Sequence, residues 1–148
     1  MAEYLILAEN ILFKNDKLTC INIYNKLTTV AMPAEFRMDL AIICGPDWTP
    51  GEHNLSVKAI GSNGKEVKIG DLTVIIPHQD FVYNAYANVC KLLMDYSVES
   101  LTIVVYDNDK EIISRKYPVV PMLVPQKQGE TRTEDTTQSQ EHNETVEV

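Results

Sequence analysis

The sequence predicts an all-β protein, a two-layer antiparallel sandwich, and three observations predict it. Short segments rich in Val, Ile, Leu, Tyr and Thr recur with turn residues between them, at intervals of about eight to twelve positions. Phe36, Met38, Leu40 and Ile42 alternate with Arg37 and Asp39, the period-two signature of a half-buried strand. Asn63-Gly64 sits between two such segments and supplies the positive φ that a tight hairpin needs.

Each element follows in order. Tyr4 to Ala8 is the first candidate strand. The stretch from Phe13 to Lys17 holds an Asn15-Asp16 turn signal, and Leu18 to Asn25 is extended with imperfect alternation. Met32-Pro33-Ala34-Glu35 breaks the pattern before the strand at Phe36 to Ile42. Gly45 to Gly51 is a loop by composition, with Trp48 between Pro46 and Pro50. His53 to Ile60 resumes alternation, with Leu55, Val57 and Ala59 on one face. Glu66 to Ile69 and Leu72 to Ile76 are separated by Gly70-Asp71, a bulge or a second turn. Leu101 to Tyr106 and Glu111 to Tyr117 form a closing hairpin around Asp107 to Lys110, and Pro118 and Pro121 mark its exit. About seven or eight strands result.

One segment gives two answers. From Phe81 to Tyr96, the residues Val82, Ala85, Tyr86, Val89, Leu92, Leu93 and Tyr96 recur at helical spacing, with Asp80 placed to cap the start. The alternative is a pair of extended pieces joined through Asn88-Val89-Cys90. Periodicity alone favours the helix.

A resemblance bears on that choice. Lys17-Leu18-Thr19-Cys20-Ile21-Asn22-Ile23-Tyr24, then Met32-Pro33, then the Phe36 strand, then Pro50-Gly51-Glu52-His53-Asn54-Leu55, then the hairpin from Ser100 to Val119 follow one another in a recognisable order. In that order the chain, from about Tyr4 to Val119, resembles a family of small bacterial proteins of unknown function. Asp16 and Asn22 stand where that family's pattern has glycine, and Ser97-Val98-Glu99 lacks the glycine of its closing step. The resemblance implies an immunoglobulin-like β-sandwich, and it implies an extended chain from Phe81 to Tyr96. Strand is therefore the expectation there, against the periodicity. No activity and no functional residues come with the resemblance.

Composition sets the organisation and excludes function classes. Thirteen basic against 21 acidic residues leave a formal charge of −8 on 148 residues. That balance argues against nucleic acid and against an anionic membrane surface. No apolar run approaches the roughly 18 residues that span a bilayer. From Gln126 to Val148, Lys127 and Arg132 face six acids, a net of −4, and the only large apolar residues are Val146 and Val148. Such a segment cannot bury enough surface to offset ordering entropy. The expectation is one β-sandwich domain over residues 1–125 and a disordered acidic tail over 126–148, either solubilising or docking a basic partner. Met1 to Glu9 carries an acid before a short apolar run, unlike a secretory leader, so a cytoplasmic location is expected. Cys20, Cys44 and Cys90 are odd in number and lie in apolar stretches, as buried thiols do in a reducing compartment.

Candidate chemistry is sparse. His78 and Asp80 lie two apart in a polar turn, and His53 opens a strand. A metal site would need Cys20, Cys44, Cys90 and His53 to converge without any ligand spacing to support it. Asp107, Asp109 and Glu111 alternate across a turn but lack a calcium-loop pattern. No nucleophile elbow and no phosphate-binding glycine loop is present. No cofactor and no catalytic residue is expected. Tyr83, Tyr86, Tyr96, Tyr106 and Tyr117 read as cross-strand packing rather than as a binding face. Trp48, in a loop stiffened by two prolines, is the one candidate partner-binding residue; its alternative is to fold back over the open end of the sandwich. The sequence thus favours a non-enzymatic protein-interaction module for an unknown protein partner. The alternative is a small ligand-binding or hydrolytic domain whose site assembles only in three dimensions. A pocket joining His53 or His78 to an acid would favour that alternative.

Overall fold

Alternation along residues 34–44 becomes the centre of the fold. The computed structural model, which describes residues 2–15, 17–78, 83–95 and 97–122, contains nine strands among them. They are β1 (Ala2–Lys14), β2 (Lys17–Ile23), β3 (Leu27–Thr29), β4 (Ala34–Cys44), β5 (Gly51–Gly61), β6 (Glu66–Ile76), β7 (Tyr83–Met94), β8 (Ser100–Asp107) and β9 (Lys110–Pro121). In β4, Phe36, Met38, Leu40 and Ile42 are buried while Arg37 is exposed, as the alternation predicts. The expected tail from residue 126 onward lies outside the described residues, as do Asp80, Phe81, Val82 and Tyr96.

The strands form two sheets, ordered β2-β1-β4-β7 and β3-β9-β8-β5-β6. A single apolar cluster takes Leu5, Leu7, Leu40 and Ile42 from the first, and Leu55, Val57, Ile103, Val105 and Tyr117 from the second. The two sheets therefore share one core. All pairings are antiparallel except β3 with β9, which run parallel through Leu27↔Val119 and Thr29↔Pro121. This corrects the expectation of an antiparallel set of seven or eight strands. Three-residue β3 is too short to show a periodicity, and its pairing carries β9 on through Pro118 to Pro121, past the exit the prolines suggested.

Two ambiguous segments are decided. Gly70-Asp71 is a bulge within one continuous strand: Val57 pairs with Gly70 and Lys58 with Lys68, leaving Ile69 as the extra residue. Residues 83–94 are one continuous strand, so the helical periodicity is overturned and the expectation of strand holds there, without a break into two pieces at Asn88-Val89-Cys90. β7 pairs with β4 from Ala34↔Met94 to Cys44↔Tyr83, and that long ladder overrides a local pattern. The first strand is also longer than Tyr4 to Ala8. Past the last β4 pair, Ala8↔Asp39, β1 continues with β2 alone. The Asp39 carboxylate accepts a hydrogen bond from the Ile11 backbone N–H at 2.8 Å where β4 backbone no longer pairs with β1. Asn22, at a glycine position of the resembled pattern, has φ 54°, a left-handed conformation that Asn tolerates better than most residues.

Candidate functional site

The site lies at one end of the second sheet. There the loop at residues 45–50 joins β4 to β5, and the turn after β8 leads into β9. Strand register builds it. Leu55 of β5 pairs with Asp107 of β8, and directly opposed residues point to the same face. His53 lies two residues before Leu55, on that face too, and so is the diagonal neighbour of Asp107. The buried alternation of His53, Leu55 and Val57 places that face toward the core.

His53 is 9% exposed and both its ring nitrogens are engaged. Nδ1 lies 2.6 Å from Asp107 Oδ2, and Nε2 lies 2.8 Å from the Thr49 carbonyl oxygen. A backbone carbonyl only accepts, so Nε2 carries a proton. An ionised carboxylate only accepts, so Nδ1 carries one too. The arrangement is an imidazolium that donates twice, tying β5 to β8 and to the loop. Burial resists the charge and is the largest single influence on this histidine. The bonds to Asp107 and Thr49 and the Asp107 charge together outweigh it, and the pKa stands above its ordinary 6.5.

Trp48 packs its ring 4.8 Å from that of His53, at an interplanar angle of 61°. It is 3% exposed and belongs to the main core cluster. The indole thus follows the fold-back alternative and not the exposed-anchor one. The proline-flanked loop turns inward because the indole has a large apolar area to bury. Its Nε1 is buried with no hydrogen-bond partner among the described residues. A cleft of about 340 Å³ adjoins these groups, lined by Asp47, Trp48, Thr49, His53, Asp107, Lys110, Glu111 and Ile112.

The chemistry available there is limited. A general base needs a free lone pair within reach of its proton. His53 in this state has none, because both nitrogens donate within the protein. The arrangement clips a loop to a sheet more readily than it activates water. His78 is exposed and is not among the residues lining the cleft. Cys44 lies in the main core, whereas Cys20 belongs to a small separate cluster with Ala8, Ile11 and Ala41. Among the described residues no group of three or more His, Cys, Asp or Glu is placed to hold a metal ion. Asp107 is taken by His53, Asp109 sits in the turn at φ 67°, and Glu111 lines the cleft. Tyr117 is fully buried and Tyr106 carries the Lys58 ammonium 5.1 Å from its ring, so these two tyrosines form no common face.

The His53–Asp107 pair spans 54 residues, and sequence reasoning noted its members separately without joining them. The signal was present in the strand register: two alternating segments, one antiparallel pairing, and the two residues become diagonal neighbours.

No protein-family profile matches the chain, and no curated protein matches it. Among solved structures the chain is similar to the Pseudomonas fluorescens alkylpurine DNA glycosylase AlkC bound to DNA containing an abasic site analog. Sequence identity is 9% and the TM-score 0.34, over 78% of this chain and 30% of that one. The chain spans under a third of that protein's length. A likeness at that level transfers neither fold nor function. No helix among the described residues is long and apolar enough to cross a membrane.

Proposed function

We propose that this chain is an immunoglobulin-like β-sandwich, followed by an acidic tail, that acts as a non-enzymatic protein-interaction module. Its partner is an extended segment of another protein, added to the free edge of β2. The sandwich reading is supported by the neighbour orders: β1-β4-β7 in one sheet and β9-β8-β5 in the other parallel the A-B-E and G-F-C pairings of immunoglobulin sandwiches.

One observation carries the functional reading. The edge strand β2 exposes Ile21 and Ile23, 41% and 51% respectively, and Leu12 of β1 beside it is 50% exposed. Leu12 pairs with Thr19, which makes it the diagonal neighbour of Ile21 on one face. The edge at β6 also exposes Val67 and Ile75, but it is charged and bulged. It carries the ion pairs Lys58–Glu66 at 2.6 Å and Lys68–Asp71 at 2.7 Å, together with the bulge at Ile69. Charges and bulges block strand addition, whereas an apolar edge invites it. The doubly donating His53 adds the second support, since it withholds the histidine that lines the cleft from acting as a base. The alternative, a small ligand-binding or hydrolytic domain, is favoured by the cleft that joins His53 to Asp107 and Glu111, the arrangement expected of it.

The test is affinity purification from the native cell with the wild-type chain, the Ile21→Lys/Ile23→Lys double variant and Lys68→Ala. A stoichiometric protein partner lost only in the double variant, with hydrogen-exchange protection appearing in β2, supports the edge reading. A partner that the double variant retains, or no partner for any chain, overturns it.

A further inference from the structure

We infer that His53, Thr49 and Asp107 form a proton-dependent latch: it holds the Trp48 loop closed while the imidazole is charged and frees it on deprotonation.

Three observations carry it. First, the bond pattern needs two protons on His53. Nε2 faces the Thr49 carbonyl at 2.8 Å and Nδ1 faces the Asp107 carboxylate at 2.6 Å. A neutral imidazole has one proton, and the charge-assisted bond to Asp107 is the stronger claim on it. Nε2 then turns a lone pair on the carbonyl oxygen of Thr49, and the loop's side-chain tether becomes an acceptor facing an acceptor. Second, the loop already holds an unmet demand. The Trp48 Nε1 donor is buried without a partner among the described residues, a penalty that opening relieves through water. The indole's apolar burial opposes both penalties, so the closed loop is poised rather than locked. Third, the open cleft alongside is lined by the same Trp48, Thr49, His53 and Asp107, which leaves the loop room to move.

The charged and titratable groups around His53 set the sign. Asp107 faces it from β8, and Asp47 lies in the loop itself. Lys110 and Glu111 face the cleft from β9, and Cys44 ends β4. The positive amino group of the chain weighs against charging His53, but the Asp107 and Thr49 bonds prevail and the pKa is raised. The loop is therefore closed in acid and at the ordinary histidine midpoint, and it loosens as pH rises beyond that.

The chain holds one tryptophan, so its fluorescence reports the loop directly. The experiment follows the Trp48 emission maximum and its quenching by acrylamide against pH in the full chain, with His53 titrated by NMR and the fold monitored by far-UV circular dichroism. Expected are a red shift and a several-fold rise in quenching, with a midpoint that coincides with that of His53 while the strand signal stays constant. Asp107→Asn should move both midpoints to lower pH together. His53→Gln should abolish the transition. Should His53→Gln fail to fold, the wild-type and Asp107→Asn titrations decide alone. Quenching that stays flat while His53 titrates, or a midpoint that Asp107→Asn leaves in place, overturns the latch.

Discussion

Replacing Trp48 by alanine and by phenylalanine separates a buried indole from a surface anchor. Trp48 is 3% exposed, within the main cluster and against His53. Truncating a buried Trp to Ala costs about 4 kcal/mol. The same change removes the buried, unpartnered Nε1–H, which relieves about 2 kcal/mol. Trp48→Ala should therefore lower the unfolding free energy by about 2 kcal/mol net. Trp48→Phe keeps a packed ring and removes the same orphan donor, so it should stay within about 1 kcal/mol of wild type. Equilibrium urea denaturation followed by far-UV circular dichroism measures both, independent of the lost fluorophore. A Trp48→Ala effect below about 0.5 kcal/mol is what an exposed side chain gives, and it would refute the burial argument. A Trp48→Phe loss well above about 1 kcal/mol would instead show that Nε1–H has a partner.

The remaining predictions follow from individual groups. His53 has a raised folded pKa, so the stability it lends is complete below its unfolded value of 6.5 and is lost as pH rises through the folded midpoint. The difference in urea midpoint between wild type and His53→Gln should shrink as pH rises above the ordinary histidine value of 6.5, and a constant difference would contradict the charged pair. Asp95 is held at about 2, against an ordinary 3.8, by hydrogen bonds from the Ser97 hydroxyl, the Lys65 ammonium and the Ser97 N–H. Its contribution is present above 3.8 and fades as pH falls through about 2. Ser97→Ala should raise the Asp95 midpoint seen by NMR, and an unmoved midpoint counts against the hydroxyl. Tyr117 is fully buried and its hydroxyl has no partner among the described residues. Tyr117→Phe should be neutral or stabilising by up to about 1 kcal/mol in the same denaturation assay, and a comparable loss would reveal a hydroxyl partner. Burial pushes the Cys44 thiol up to about 12, so mass spectrometry should find it unalkylated in the native protein near pH ~8 and alkylated on unfolding. Rapid native labelling would show that it is accessible.

Sequence alone determined what depends on local pattern. Period-two alternation fixed β4 and the buried face of β5, because a strand with one face on a core must repeat every second residue. Asn63-Gly64 fixed the turn between β5 and β6, where Gly64 takes φ 82° and its N–H bonds the Gly61 carbonyl at 2.9 Å. Tertiary structure alone decided what depends on which strand lies beside which. The chain from Tyr83 to Met94 has a helical spacing of apolar residues, and it is a strand because β4 supplies a ladder along its whole length. β3 exists because β9 offers a parallel edge, and no three-residue pattern announces that. His53 and Asp107 were each visible as single residues. They became a pair only when β5 and β8 met in register, because a hydrogen bond of 2.6 Å is a fact about distance in space and the sequence records only distance along the chain. The same holds for Trp48: its loop was legible from two prolines, but whether an indole faces water or the core is settled by the surface it finds to cover.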